Sequence, residues 1–246
     1  MDMPTYLAQT NALLQNPVPS TPLYAQSDLV NYINYGRQQL ALDTECVRYA
    51  PVNLSVASGT QQYAFASVTA VPTGYGALIA IQSVAAVSGG YYQFVSPRPW
   101  SWFFRFYVQT GATQALGTPT QWSVLGEGAG GTLFFYPTPN ATSSYYVIDG
   151  VYTPTNLLTS GGPPEVIPYP FTDAVPYYAA YYAYMSTQRQ ADAELMKTRY
   201  KEFAQRARQL STPTVLPNNY PGGVGAQIAV SRTTMTGPPG GGRQGG

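Results

Sequence analysis

The chain has no histidine, one cysteine and little charge: only 9% of its 246 residues are Asp, Glu, Lys or Arg, against about 25% in ordinary globular chains. Each shortage excludes something. Without histidine there is no Ser-His-Asp or Cys-His arrangement, and the commonest metal ligand is missing. A lone Cys46 allows neither an intrachain disulfide nor a cysteine cluster for zinc. Long apolar runs are also lacking. Ala77 to Val87, the longest, is interrupted by Gln82 and Ser83 and is too short to span a bilayer. The start, Met1-Asp2-Met3-Pro4, has neither a basic region nor an apolar stretch, so no signal peptide is expected. Synthesis in a reducing cytoplasm follows, and Asn53-Leu54-Ser55 and Asn140-Ala141-Thr142 are expected to be chance sequons.

What is abundant is tyrosine, with 22 copies beside 24 Gly and 22 Pro. Tyrosine offers broad contact area with a polar tip, which suits interfaces that are buried yet partly wet. This composition points to a subunit made to be covered by neighbours. The net charge of +1 is unevenly spread. From Tyr49 to Pro170 the only charges are Arg98, Arg105, Glu127, Asp149 and Glu165. Arg189, Lys197, Arg199, Lys201, Arg206 and Arg208 crowd into one late segment with Asp192, Glu194 and Glu202.

Helical spacing predicts a first helix from Pro4 to Gln15 and a second from Ser27, as N-cap, to about Arg48, ended by Pro51. Short strands then follow: Gln62 to Ala66, Ala77 to Val87, Tyr91 to Val95, Gln121 to Leu125, Thr132 to Tyr136 and Ser144 to Val151. Trp100 to Val108 reads equally as a strand or a short helix. Thr172 is a candidate cap for a helix running to Thr187, whose Tyr177, Tyr178, Tyr181, Tyr182 and Tyr184 surround most of the circumference. A last helix spans Gln190 to Leu210, with Met196, Tyr200, Phe203, Ala207 and Leu210 forming one apolar stripe opposite its charges. Beyond Pro213 the chain is Gly- and Pro-rich, a composition expected to be disordered in isolation.

Three motifs invite a chemical reading. Gly126-Glu127-Gly128-Ala129-Gly130-Gly131 matches G-x-G-x-x-G, but a strand-like Thr132 to Tyr136 follows where a phosphate-binding helix would be required. A glycine-rich hairpin loop is therefore expected. Pro97 to Tyr107 is dense in aromatics and holds Arg98 and Arg105. Stacking on single-stranded nucleic acid is conceivable, but two bases make a poor electrostatic groove, and core or interface packing is favoured. The basic helix could meet duplex DNA through phosphates alone, could form a ring contact, or could be a solvated face steadied by a Glu202–Arg206 pair. No enzyme, cofactor or metal site is expected.

The ordered series of segments resembles the head-tail adaptor (connector) proteins of tailed phages. Asp28 to Ala41 is similar to their early helix, and Thr44-Glu45-Cys46-Val47-Arg48 to its close. Gly59-Thr60-Gln61-Gln62-Tyr63 looks like the entry into their β region. Arg98-Pro99-Trp100 to Phe103, Gly117 to Trp122 and Leu133 to Pro139 follow in order. Ile167 to Tyr177 resembles the return to helices, and Gln190 to Leu210 their last helix. The likeness covers residues 4–216.

It implies a structural subunit of the virion neck, synthesised in the host cytoplasm. Copies would form a ring, about twelvefold and closed by symmetry, docked on the portal protein, carrying tail or nozzle proteins and passing double-stranded DNA without sequence specificity. No membrane partner is implied. The expected fold is α+β, with a helical bundle from residues 1–50 and 170–212, an inserted β-sandwich or barrel-like domain over 51–169, and an extended C-terminal arm over 213–246. Trp100, Trp102, Phe103, Tyr177, Tyr178, Tyr181 and Tyr182 are candidate subunit-interface residues. Arg199, Lys201, Arg206 and Arg208 are candidate channel or ring-contact bases. A capsid decoration or tail-fibre-associated protein is the alternative, and a single-stranded nucleic-acid-binding protein a more distant one.

Overall fold

Helices occupy both ends of the described chain, and strands fill its middle. The computed structural model describes residues 1–16, 22–68, 71–88, 91–109, 115–126, 128–142 and 145–211. The expected arm over 213–246 lies outside the described residues.

Helix α1 spans Met3–Leu14. Asp2 caps it, its carboxylate accepting the Thr5 N–H at 3.1 Å, and Pro4 sits in the first turn, where no intrahelical donor is needed. Helix α2 spans Gln26–Thr44 and corrects the sequence reading at both ends. Ala25, not Ser27, is the N-cap, and no side chain caps that end. The helix stops before Arg48 because Glu45 turns left-handed (φ 54°) and donates its N–H to the Ala41 carbonyl at 2.9 Å. Arg48 instead opens strand β1, Arg48–Ser55, which the sequence reading missed. Its signal is visible in retrospect: Val52, Leu54 and Val56 alternate and are all buried.

The other strands are β2 (Gln62–Ala64), β3 (Tyr75–Ser88), β4 (Tyr91–Phe94) and β5 (Ser96–Pro97). Helix α3, Trp100–Gln109, settles the ambiguous aromatic segment as helical. Then come β6 (Leu116–Gly117), β7 (Gln121–Leu125), β8 (Thr132–Tyr136), β9 (Thr138–Pro139) and β10 (Tyr145–Pro154).

One antiparallel sheet has the order β1-β10-β3-β4. A second runs β2-β8-β7-β5, and β6 pairs with β9 in a short two-stranded ladder. The glycine motif leads from β7 into its antiparallel partner β8. Gly126 and Gly128 take positive φ there (80° and 66°), a conformation that favours glycine, and a short turn, Gly128–Gly130, precedes β8. Phe135 of β8 lies against Tyr146 of β10 with ring centroids 4.8 Å apart, so side chains of the two sheets meet.

The return to helices also differs from expectation at its cap. Thr172 is buried within a 3₁₀ turn, Phe171–Ala174, and helix α4 follows as Val175–Ser186. Helix α5 spans Gln190–Ser211. Helix α4 packs against α1, α2 and α5. Its tyrosines do not encircle it. Ala179, Ala180 and Ala183 make a fully buried strip of small residues, and at about 100° per residue the tyrosines share the remaining half. Gly36 of α2 brings that helix close: a Cβ there would lie 3.3 Å from both the Tyr178 Cβ and the Val175 carbonyl oxygen. Replacing Gly36 with valine should force the two helices apart and cost about 1–3 kcal/mol, readable as a lower urea midpoint.

Candidate assembly surfaces

A buried polar network fixes the segment between β10 and α4. The Arg37 side chain is 1% exposed and that of Glu165 is 5% exposed. Arg37 donates from Nε and Nη2 to the two Glu165 oxygens at 2.9 and 2.8 Å, a bidentate pair. Its Nη1 donates to the Thr155 carbonyl at 2.7 Å and to Asn34 Oδ1 at 3.1 Å. Tyr6 donates to Glu165 at 2.8 Å, and the backbone N–H groups of Val166 and Ile167 do so at 2.9 and 3.0 Å. Asn34 exchanges two hydrogen bonds with the Leu157 backbone, at 3.1 and 2.9 Å. Thr155 to Ile167 is thus a strap held to α1 and α2.

Burial alone would raise the Glu165 pKa, but hydrogen bonds and charge from Arg37, with the Ile167 N–H and Tyr6, outweigh it and leave the pKa lowered. The sign of the linkage follows. The stabilisation is fully present above the carboxyl's ordinary value and is lost as pH falls through the lowered folded one. Wild type should therefore lose stability on acidification in a step that Glu165→Gln lacks, measured as unfolding midpoints across acidic pH.

The α3 aromatics named from the sequence are engaged within their own chain. Phe103 is fully buried. Trp100 lies 4.6 Å from the Phe134 ring and Trp102 5.8 Å from Tyr136, with Arg98 5.6 Å over Trp102. These rings pack the α3 side of the β7–β8 hairpin.

The α4 tyrosines divide. Tyr177 stacks on Phe203 of α5 at 4.8 Å, and Tyr178 meets Tyr200 at 4.8 Å. Lys197 lies 5.2 Å over Tyr181. Tyr182 faces α2, 5.9 Å from Tyr32 and 6.0 Å from Tyr35, and is exposed together with Tyr35 and Met185.

On α5 the buried line is Ala193, Tyr200, Ala204 and Ala207. Arg199, Lys201, Arg206 and Arg208 are all exposed. The pairing is Arg199–Glu202 at 2.9 Å, not the expected Glu202–Arg206. Such exposed pairs contribute only about 0.3–0.5 kcal/mol. Glu202 lies opposite the buried line, beside Ala191 and Thr198, and the bases flank it.

The sequence reading missed one surface. Strand β4 is an edge strand whose four side chains all face solvent, with Tyr91 81% and Phe94 74% exposed. An edge strand carrying large aromatics is a pairing site unless it is covered. Replacing Tyr91 and Phe94 with serine should change folding stability by no more than about 0.5 kcal/mol while removing a contact with whatever covers the edge, scored as particle assembly.

Among the described residues there is no group of three or more Cys, Asp or Glu placed to hold a metal ion. No helix among them is long and apolar enough to cross a membrane. The described chain is α+β and exposes an aromatic edge strand, a tyrosine face on α2 and α4 and a charged last helix. The SU10 adaptor protein family model matches residues 3–223, and the chain belongs to that family of phage structural adaptors. No curated protein matches the chain.

Proposed function

We propose that this chain is the subunit of a head-to-tail adaptor ring in the virion neck, which docks on the portal protein, extends the DNA channel and gives the tail its platform. The observation that carries the reading is the adaptor-family match over residues 3–223. The packing of α4 on α1, α2 and α5 supports a helical bundle from residues 1–50 and 170–212 as the ring wall. The two sheets between them support a sandwich-like insert over 51–169, whose exposed β4 edge is suited to a tail or nozzle protein. Copies in a closed cyclic ring, about twelve, would each be covered on two sides, which suits a chain rich in tyrosine and poor in charge.

DNA passing such a ring must be held weakly and without sequence preference, through phosphates alone. The test replaces Arg199, Lys201, Arg206 and Arg208 with glutamine and scores assembly separately from DNA retention and ejection. Intact particles with altered retention or ejection would support a channel role. Normal ejection from normal particles would refute it. Electron micrographs of the particle neck test the ring itself, and a neck lacking this chain would overturn the reading.

A further inference from the structure

Each of the two larger sheets ends in two edge strands, and three of these four edges are blunted. Strand β1 contains Pro51 and breaks register between Tyr49 and Val52. Strand β2 is only Gln62–Ala64, and β5 is only Ser96–Pro97, with proline as its last residue. Strand β4 has no such protection. It pairs with β3 in unbroken register, from Ala85 with Phe94 to Ser88 with Tyr91, and holds no proline. No charged residue occurs over residues 75–94. On one face of β4, Tyr92 and Phe94 are 58% and 74% exposed, and Val87, paired with Tyr92, is exposed beside them. Tyr91 and Gln93 lie on the other face. The edge offers a strand's outer backbone beside an uncharged aromatic row, so it suits an extended, uncharged segment.

The chain's own sequence carries such a segment. In the Gly- and Pro-rich stretch after α5, Val224, Ala226, Ile228 and Val230 alternate with Gly225, Gln227, Ala229 and Ser231. That is the two-residue period of a strand with one apolar face. Gly222-Gly223 precedes the run, and Gly237-Pro238-Pro239 closes it after the β-favouring Thr233 and Thr234. Residues 209–231 hold no charge, matching the uncharged edge. Residues 212–223 join the run to the end of α5. Fully extended they reach about 40 Å, more than the roughly 30 Å breadth of a small domain. The run is therefore long enough in its tether to serve a neighbouring subunit.

We propose that residues 224–230 of one copy add as a fifth strand to the β4 edge of the next copy. Their backbone pairs with β4, and their apolar face continues the row of Val87, Tyr92 and Phe94. Because each copy gives a strand at one place and receives one at another, the contact is head to tail, the kind that repeats around a ring. A tail or nozzle protein then meets the extended sheet rather than β4 itself. The proposal rests on the ring reading and names one of its contacts.

The test uses particles assembled with the full chain carrying Cys46→Ser, Gln93→Cys and Gln227→Cys, treated with a short bis-maleimide. A ladder of covalent multimers is expected. Adding Ile228→Lys, which puts a charge on the apolar face, should remove the ladder while the purified chain's circular dichroism is unchanged, and Ile228→Val should keep it. A ladder undiminished by Ile228→Lys would overturn the strand pairing. A cross-linked monomer would overturn the proposal by returning the strand to its own chain, and a cross-link from position 227 to another virion protein would overturn it too. Rings that give no cross-link at all would overturn this contact and leave the ring reading standing. A wild-type chain that forms no ring in the neck would overturn both.

Discussion

Glu165→Ala should destabilise the folded chain by about 3–5 kcal/mol, because it leaves Arg37 as an uncompensated buried charge. Four of the contacts that satisfy the pair come from Tyr6 of α1 and from the backbone at both ends of the strap, so no single neighbour can move in to replace the carboxylate. A paired substitution separates charge from position. Arg37→Met with Glu165→Leu removes both charges together and should recover much of the loss, since well-packed apolar replacements of buried pairs are often neutral or stabilising. Urea titrations of the three proteins measure this. If Glu165→Ala were as stable as wild type, the strap would not depend on the pair.

Phe135→Ala is the second large effect, about 3–5 kcal/mol. Phe135 is fully buried, its ring 4.8 Å from Tyr146 of β10 and 5.7 Å from Tyr63 of β2. Truncation would open a cavity where side chains from the two sheets meet. Phe135→Leu keeps most of the volume and should cost clearly less. A lowered thermal midpoint with an unchanged far-ultraviolet spectrum at low temperature is the expected signature, and equal midpoints for the alanine and leucine proteins would contradict it.

The features that could be read from sequence share a physical basis: periodic burial on one element. The core line of α5 is written in its seven-residue repeat, and the β7–β8 hairpin in its glycines and flanking apolar runs. Errors arose where a decision lay outside the element. Sequence carries α2 to about Arg48, before Pro51, but the chain leaves the helix at Glu45, through a left-handed cap that a glutamate does not advertise. The tyrosines of α4 look circumferential in sequence, but the alanines between them, Ala179, Ala180 and Ala183, mark the buried side.

Sites were harder, because exposure is a property of the whole arrangement. The sequence marks Tyr91 to Val95 only as a strand, and it takes sheet order to place β4 at an edge with Tyr91 and Phe94 exposed. Arg37 and Glu165 stand 128 residues apart and follow no common motif, so nothing local could pair them. The α5 bases were recognised as a cluster, but their division into two rows needed the direction of the buried line.

The strap between β10 and α4 bears on how the molecule carries load. A pull along β10 reaches Thr155 and Leu157 first, and from there passes into Arg37 and Asn34 on α2 rather than travelling through slack loop. Glu165 fixes the far end of the same segment to the same arginine and to α1 through Tyr6. The segment therefore works as a brace tied at both ends to the helices, and force applied to the sheets must shear several hydrogen bonds together before the helices and the sheets can part.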